Sequence, residues 1–215
     1  NRFKDGQVFL IDVKHLLEPQ VTLMEFSQAL TDLAEVVIDE AVTICYEHLG
    51  EKHGPFTICG LGKFGGREMG YASDLELLFV HDTLGSTPFF ESLARRVADF
   101  IEARNKGIFH IDLRLRPYGD KGALSIPFEQ FAKYYTTNGQ AEPFERQALI
   151  KLRWVAGDET LGRRVEAHRD NFTYIDAPWN WENALHLRRR QMRELAKPGQ
   201  INVKYSAGGI VDIEY

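Results

Sequence analysis

Apolar residues recur at helical spacing over much of the N-terminal part of the chain. From residue 22 to residue 49 they occupy Leu23, Phe26, Leu30, Leu33, Val37, Ala41, Ile44, Cys45 and Leu49. Apolar positions spaced mostly three or four residues apart form one face of an amphipathic helix. The pattern therefore predicts one long helix, or a broken pair of helices, that ends near Gly50.

Two short apolar runs follow this helix, at residues 56–61 and 74–81. Both runs are too short for typical helices and are rich in strand-forming side chains, so each predicts a buried strand. Thr87-Pro88 predicts the start of another helix, because proline is favoured at the first helical position. The apolar spacing of that helix continues to about Gly107.

Residues 108–117 alternate between two kinds of side chain. Phe109, Ile111, Leu113 and Leu115 alternate with His110, Asp112, Arg114 and Arg116. A period of two puts the polar set on one face of a strand, so the whole segment is predicted as a strand.

Three more helices are predicted at about residues 127–138, 142–156 and 181–196, where Gly139 and Pro198-Gly199 act as stop signals. Short strands among many helices predict an α+β fold, with a small mixed sheet inside a largely helical protein. No internal repeat or low-complexity linker interrupts the chain.

Composition and charge narrow the function classes. The chain has 215 residues, of which 44% are hydrophobic and 27% are charged, as in ordinary globular proteins. No apolar run is long enough to span a membrane. The net charge is −5, which disfavours a nucleic-acid substrate, because phosphate binding usually needs a basic excess. A nucleotide together with a protein partner fits this charge better.

The ends and the cysteines give two further expectations. The chain begins Asn1-Arg2 without an initiator methionine or an apolar signal segment, so we interpret it as a fragment. Cys45 and Cys59 lie in apolar surroundings. They are expected to be buried thiols of a cytoplasmic protein, since two cysteines cannot build a zinc site.

Candidate chemistry begins at the glycine pair Gly65-Gly66, after the first predicted strand. Glycine lets the backbone turn tightly and present N–H groups without side-chain obstruction, which suits a polyphosphate. Taken alone, such a pair most often marks only a turn.

Two carboxylates that follow this turn at a suitable spacing make a functional role for it more plausible than the glycine pair alone does. Asp74 follows Gly66 by eight residues and stands two residues before Glu76, at the mouth of the second predicted strand. Period two places both carboxylates on one face, about 7 Å apart at the backbone. Oxygen ligands so placed can share Mg²⁺. A solvated strand end is the alternative, but adjacent like charges oppose each other unless a cation offsets them.

Asp112 offers a third carboxylate on the alternating strand. In isolation, the favoured interpretation is an ion pair with Arg114 or Arg116. If this strand lies beside the strand of Asp74, however, the three carboxylates converge on a two-metal site.

The whole set of motifs resembles a known family. The run GLGKFGGREMGYASDLELLFVHD, residues 60–82, closely resembles the nucleotidyltransferase signature of the glutamine synthetase adenylyltransferase family. Residues 112–119, 145–153 and 202–215 agree with further family segments in order and spacing. The similarity runs from about Phe56 to the end of the chain.

This resemblance implies a polymerase-β-like nucleotidyltransferase domain that uses ATP and two Mg²⁺ ions. Family members move AMP onto or off a tyrosine of glutamine synthetase, under control of nitrogen-signalling proteins such as those of the PII type. By position, Asp74, Glu76 and Asp112 match the metal ligands, and Gly65 and Gly66 match the phosphate turn. The family usually has aspartate where this chain has Glu76, and its full-length members carry two such domains.

The predicted organisation has three parts. Residues 1–55 form an N-terminal helical segment, residues 56–158 the nucleotidyltransferase domain, and residues 159–215 a helical segment that leads into a truncated bundle.

Several polar side chains near the predicted site are candidates for nucleotide binding. Lys63 and Arg67 flank the turn and could contact a phosphate. Ser73 could bind a phosphate or cap the local backbone, which is the commoner role. Lys204 could mark a second element near the nucleotide or simply a loop. Lys151 and Arg153 are expected on a helix, with a solvated surface as the default.

Two functions from different classes remain open. The first is an Mg²⁺-dependent adenylyltransferase, whose sequence looks more like the adenylylating half of the family. The second is a nucleotide-sensing or partner-binding module on the same fold, with weak or no catalysis, which Glu76 alone encourages.

Overall fold

The computed structural model describes residues 2–49, 54–82, 87–102, 109–176, 178–197 and 199–214. In these parts the strands are β1 (Phe56–Gly60), β2 (Leu75–His81), β3 (Ile111–Asp112), β4 (Ser125–Pro127) and β5 (Arg153–Gly157). The α-helices are α1 (Arg2–Leu17), α2 (Leu23–Leu49), α3 (Gly62–Gly65), α4 (Thr87–Ile101), α5 (Phe128–Tyr134), α6 (Pro143–Leu149), α7 (Glu159–Asp170), α8 (Trp181–Leu195) and α9 (Val211–Glu214). A 3₁₀ turn (Gly119–Lys121) and a π-helical turn (Asn171–Ile175) complete the regular structure.

The strands form one small mixed sheet, as the sequence predicts. Its order is β3-β2-β1-β5. β4 pairs with residues 79–81 of β2, whereas β3 pairs with residues 75–76. β1 runs antiparallel to β2 and β5, whereas β2 runs parallel to β3 and β4. The fold is therefore α+β, with helices on both faces of the sheet.

Both faces of β2 are covered, which explains its almost continuous apolar sequence. Leu75, Leu77 and Phe79 belong to a core that α2 and α4 complete. Leu78 and Val80 belong to a second core built with α5 and α7. Glu76 is the one position of the strand that is not fully buried. Its side chain is thus on the second face, at the open end of the strand.

The long predicted helix is confirmed as α2, Leu23–Leu49. A capping box fixes its start: the Glu25 backbone N–H donates to Thr22 Oγ1 at 3.2 Å, and the Thr22 backbone N–H donates to the Glu25 carboxylate at 2.8 Å. The helix before it, α1, has no bounds of its own in the sequence prediction, which describes residues 1–55 only as a helical segment, and it packs on α2. The predicted helix from Thr87 is confirmed as far as Ile101; residues 103–108 lie outside the described part.

The predicted helix at 142–156 is wrong in its second half. It ends at Leu149, and residues 153–157 form β5 instead. The cause is tertiary: β5 pairs with the free edge of β1, and this non-local ladder outweighs the helical spacing of the apolar residues. Arg153 is consequently a strand residue, not a helix residue.

The predicted strand at 108–117 is also wrong in its extent, since β3 contains only Ile111–Asp112. The chain turns after Leu113, whose carbonyl accepts a 2.6 Å hydrogen bond from the Arg116 guanidinium. A second bond from the same side chain, 3.1 Å to the Gly122 carbonyl, closes the turn. Arg116 therefore holds the loop and does not share a strand face with Asp112.

Two further expectations are met. The predicted helices near 127–138 and 181–196 correspond to α5 and α8, although α5 is shorter. Both cysteines are buried free thiols. Across the described ranges, no helix combines the length and apolarity that a membrane crossing requires.

Candidate active site

Asp74, Glu76 and Asp112 lie at one end of the β2–β3 pair. In the parallel register, Leu75 pairs with Ile111 and Glu76 pairs with Asp112. The two carboxylates therefore occupy neighbouring positions on one face of the sheet. Asp74 precedes the strand, and the next residue, Leu75, donates its N–H to the His110 carbonyl at 2.7 Å. The structure thus brings together the carboxylates that the sequence spacing singled out.

The surroundings of Glu76 disfavour the charged form of its carboxyl group. Burial raises the pKa of its carboxyl group, and the negative charges of Asp112 and Asp74 raise it further. The Lys204 charge and the backbone N–H of Lys63 act in the opposite direction. A half-buried carboxylate beside two others is a position where a bound cation would relieve repulsion.

Asp112 is held by a neighbour on its own chain segment. Arg114 donates from Nε at 3.0 Å to each Asp112 oxygen, and from a terminal nitrogen to Oδ2 at 2.6 Å. These bonds lower the pKa of Asp112, which is only 9% exposed, whereas Arg114 is 75% exposed. The expected pairing of Asp112 is confirmed for Arg114, and it orients a carboxylate that also lies beside Glu76.

Gly62 is a site residue that the sequence analysis did not select. It has a left-handed φ of 51°, and a Cβ atom built on it would lie 1.2 Å from Glu76 Oε2. Only glycine leaves room for the Glu76 carboxylate against the start of α3. A positive φ is not visible in a sequence, although the run of glycines at 60–66 was a partial signal.

The glycine pair has a structural role within α3. The N–H groups of Gly65 and Gly66 donate to the carbonyls of Leu61 and Gly62, at 2.8 and 3.0 Å. Both donors are therefore engaged in α3 itself. A Cβ atom on Gly65 would lie 2.0 Å from the Lys151 carbonyl oxygen, so glycine at this position permits close packing of the turn.

The polar residues around the turn separate into two groups. Arg67 is bound to α2, through ion pairs of 2.5 Å to Asp32 and 2.6 Å to Glu35. Ser73 Oγ accepts the Gly70 N–H at 2.8 Å, which is the capping role. Lys63 is exposed, and its backbone N–H supports Glu76. Of these three side chains, that of Lys63 fits best as a phosphate contact.

The N-terminal helices hold the loop between the turn and the carboxylates. Besides the Arg67 ion pairs, Tyr71 Oη lies 2.5 Å from His15 Nδ1, and its ring packs 4.5 Å from that of Phe26. Glu35 also binds Arg153 at 2.7 Å. α1 and α2 are thus positioning elements of the site.

An open cleft of about 490 Å³ lies over Asp112. It is lined by Asp74, His110, Ile111, Asp112, Leu113, Arg114, Arg116 and Asp120. Within the described residues, no three His, Cys, Asp or Glu side chains are arranged as a site that could hold a metal ion. Asp112 would have to exchange Arg114 for a cation to complete one.

Comparison with known proteins shows the family to which the chain belongs. The family model described as glutamate-ammonia ligase adenylyltransferase matches residues 1–168, so the N-terminal helices are included. The chain is 34% identical to the bifunctional glutamine synthetase adenylyltransferase/adenylyl-removing enzyme of Shewanella frigidimarina, over 90% of the chain and 23% of that enzyme. It is 32% identical to the enzymes of the same name from Nitrosomonas europaea and Neisseria meningitidis serogroup B, over 99% and 100% of the chain and 24% of each enzyme. The chain spans about a quarter of the length of these relatives, and it belongs to the glutamate-ammonia ligase adenylyltransferase family.

Proposed function

We propose that this chain is a polymerase-β-like nucleotidyltransferase that uses Mg²⁺ to transfer AMP between ATP and a tyrosine of glutamine synthetase. Adding AMP from ATP would release pyrophosphate, and removing it would transfer the AMP group from the tyrosine to phosphate, which gives ADP and the free tyrosine. The observation that carries the proposal is the register of β2 and β3, which sets Glu76 beside Asp112 with Asp74 at the strand entrance. Membership of the family supports the reaction and the acceptor.

The donor set of the site fits Mg²⁺. All three side chains supply carboxylate oxygens, which this ion prefers together with substrate phosphates. Burial and then the negative charges of Asp112 and Asp74 raise the pKa of Glu76, and a bound cation would offset the repulsion among the three carboxylates. When bound, Mg²⁺ would stabilise negative charge on the transferring phosphoryl group. Asp74, Glu76 and Asp112 would hold it, once Asp112 has exchanged its bonds from Arg114.

The remaining residues would bind and orient the nucleotide. Lys63 reaches outward from α3 and can contact a phosphate oxygen. Gly65 allows α3 to pack against the Lys151 carbonyl, Gly66 lies against the Glu68 and Lys151 side chains, and Ser73 fixes the loop that carries Asp74. Arg67 contributes by tying this loop to α2. Arg114, released from Asp112, would add a mobile positive charge at the cleft.

The acceptor is proposed from the names of the relatives, and the regulator from the resemblance of the sequence to the family. Their printed names give glutamine synthetase as the protein on which they act, both in adding and in removing the adenylyl group. We extend this substrate to the present chain, with the adenylylating direction preferred from the sequence around Asp74. A nitrogen-signalling protein of the PII type is the proposed regulatory partner.

The direct test uses glutamine synthetase, Mg²⁺ and ATP labelled in the α-phosphate. We expect label on the synthetase with the parent protein and about 10²- to 10³-fold slower labelling with Asp74→Asn, because one metal ligand is lost. Release of labelled ADP from adenylylated synthetase on addition of phosphate tests the other direction. Equal labelling by both proteins, or no labelling by the parent in either direction, would contradict the proposal.

A nucleotide-sensing module is the second candidate. It is favoured by the bidentate Asp112–Arg114 pair, which holds one expected metal ligand away from a cation. Glu76, one methylene longer than the aspartate usual in the family, points the same way. Calorimetric titration with Mg²⁺ separates the two functions. Equal Mg²⁺ binding by the parent and by Asp74→Asn would contradict the proposed metal site and would favour the sensing function.

A further inference from the structure

The segment at residues 202–212 is a built loop rather than an extended tail. Asn202 Oδ1 accepts the N–H groups of Lys204 and Tyr205, both at 3.0 Å, and Asn202 itself donates its N–H to Ser206 Oγ at 2.9 Å. The loop closes where the Val211 N–H donates to the Lys204 carbonyl at 3.2 Å. The backbone that carries Lys204 is therefore fixed on both sides.

Arg188 of α8 anchors this loop. It is only 5% exposed, and its guanidinium donates to Asp212 at 2.5 Å and to the carbonyls of Tyr205 and Ser206, both at 3.1 Å. Each of the three nitrogens of this buried guanidinium thus donates one hydrogen bond that holds residues 205–212. Such an arrangement gives the loop one conformation relative to α8.

The helix that follows this loop, α9, is linked to the glycine turn through Glu214. Lys151 Nζ binds Glu68 at 2.8 Å and Glu214 at 3.3 Å. The Lys151 backbone oxygen is also the atom that a Cβ on Gly65 would meet at 2.0 Å. Ion pairs therefore join α9 to the turn, and the loop before α9 lies next to the predicted site.

Lys204 presents a free positive charge there. Its side chain is exposed, and in the described part of the chain its ammonium group makes no hydrogen bond or ion pair, only a 5.2 Å contact with the Tyr205 ring. It is close enough to Glu76 for its charge to act on that carboxylate. By contrast, Arg67, Arg114 and Lys151 are each held by carboxylates.

We propose that Lys204 binds the triphosphate of the nucleotide next to Glu76, so that the loop at 202–212 forms part of the nucleotide site. This inference rests on the proposed nucleotidyltransferase function. Three clustered carboxylates repel a polyphosphate, and a compact ammonium group beside them offsets that repulsion. Because the loop is anchored through Arg188, Lys204 is positioned before the nucleotide binds.

The test compares Lys204→Met with Lys204→Arg and with Lys197→Met, which removes an exposed lysine outside the loop. Calorimetry with Mg²⁺ gives the affinities for ATP and for AMP. We expect Lys204→Met to weaken ATP binding by about tenfold or more and AMP binding by about twofold at most, since a charge-assisted bond to the outer phosphates is lost. Lys204→Arg should retain most of the affinity, and Lys197→Met all of it. In turnover, the loss should lie in KM for ATP rather than in kcat.

Two results would overturn the inference in different ways. If the parent binds ATP in an Asp74-dependent manner and Lys204→Met binds it equally well, Lys204 is not a phosphate contact, while the proposed function stands. If the parent shows no Asp74-dependent binding of ATP, the proposed function fails and the inference fails with it. Matching thermal unfolding of all variants establishes that the exposed substitutions leave the fold unchanged.

Discussion

The two ends of β2 handle polar groups in opposite ways. At its start, Glu76 lies half-buried beside two more carboxylates, and burial together with their charges raises its pKa. At its end, His81 is fully buried, stacks on Phe90 with ring centroids 4.4 Å apart, and shares a 2.8 Å hydrogen bond with Ser125. Burial lowers the pKa of His81 to about 4, so this group is neutral at pH 7.

The difference indicates which end binds a ligand. At the His81 end, the ring is neutral and Nδ1 bonds to Ser125 within the fold, and only Nε2 has no hydrogen-bond partner among the described residues. The Glu76 end concentrates like charges that the protein only partly offsets, a costly arrangement for a structure whose only purpose is stability. A group that binds here from outside would repay that cost, which is the physical basis for placing function at residues 74–76.

The largest expected effect comes from breaking the carboxylate end. Asp74→Asn should lower AMP transfer by about 10²- to 10³-fold, because a metal ligand is lost. Its free energy of unfolding should not fall, since the substitution removes repulsion. Transfer assays and urea unfolding measure the two quantities. A parallel loss of stability would mean that Asp74 is a structural residue, like those at the other end of the strand.

The His81 end should show the reverse pattern, with stability affected and the reaction untouched. In the unfolded chain the His81 side chain binds a proton near its ordinary pKa of 6.5, whereas in the native state it does so only near pH 4. The unfolded state therefore holds more protons in this window, and the free energy of unfolding falls as pH drops from 6.5 to 4, by about 3 kcal/mol.

Urea unfolding of the parent and of His81→Gln, between pH 6.5 and pH 4.5, checks this expectation. The substitution should remove the steeper part of the pH dependence. His48→Gln, which changes an exposed histidine of α2, is the matched control and should keep the parent slope. An unchanged slope in His81→Gln would show that this buried histidine does not govern the acid response.

Gly62→Ala tests the Glu76 end of β2 through the glycine turn that packs against Glu76. The added Cβ would overlap Glu76 Oε2, and φ of 51° is unfavourable for alanine. We expect a loss of about 1–3 kcal/mol in stability, together with reduced transfer as Glu76 is displaced. Gly6→Ala in α1, where a Cβ would meet nothing within 4 Å, should be stabilising by up to about 1 kcal/mol. Equal behaviour of the two variants would contradict the close approach of Gly62 to Glu76.

These residues also show how far sequence patterns reach. α2, β1 and β2 follow from local periodicity, and the spacing from the glycine turn to Asp74 and Glu76 points to the site without any structure. The pairing of Glu76 with Asp112 could only be stated as a condition, because strand order is a property of the whole chain. β5 was missed for the same reason, since only its partner β1 makes it a strand.

The roles of individual side chains were still harder to predict. Arg67 and Lys63 are both basic residues beside the same turn, and the sequence gives no reason to separate them. Arg67 finds Glu35, 32 residues earlier in the chain, while Lys204 reaches the neighbourhood of Glu76 from a loop near the C-terminus. Such contacts depend on how α2 and α8 pack, which is not encoded in a short window.

The smallest expected effect distinguishes these two cations. Arg67→Met breaks partly exposed ion pairs with Asp32 and Glu35, so we expect about 1 kcal/mol lower stability and little change in the affinity for ATP. Lys63→Met should leave stability within about 0.5 kcal/mol of the parent, because the side chain is exposed, and weaken ATP binding instead. Thermal unfolding and calorimetry on the same samples provide both readouts. If Arg67→Met loses the affinity and Lys63→Met keeps it, the guanidinium must leave α2 when the nucleotide binds, and the N-terminal helices then respond to the nucleotide instead of only supporting its site.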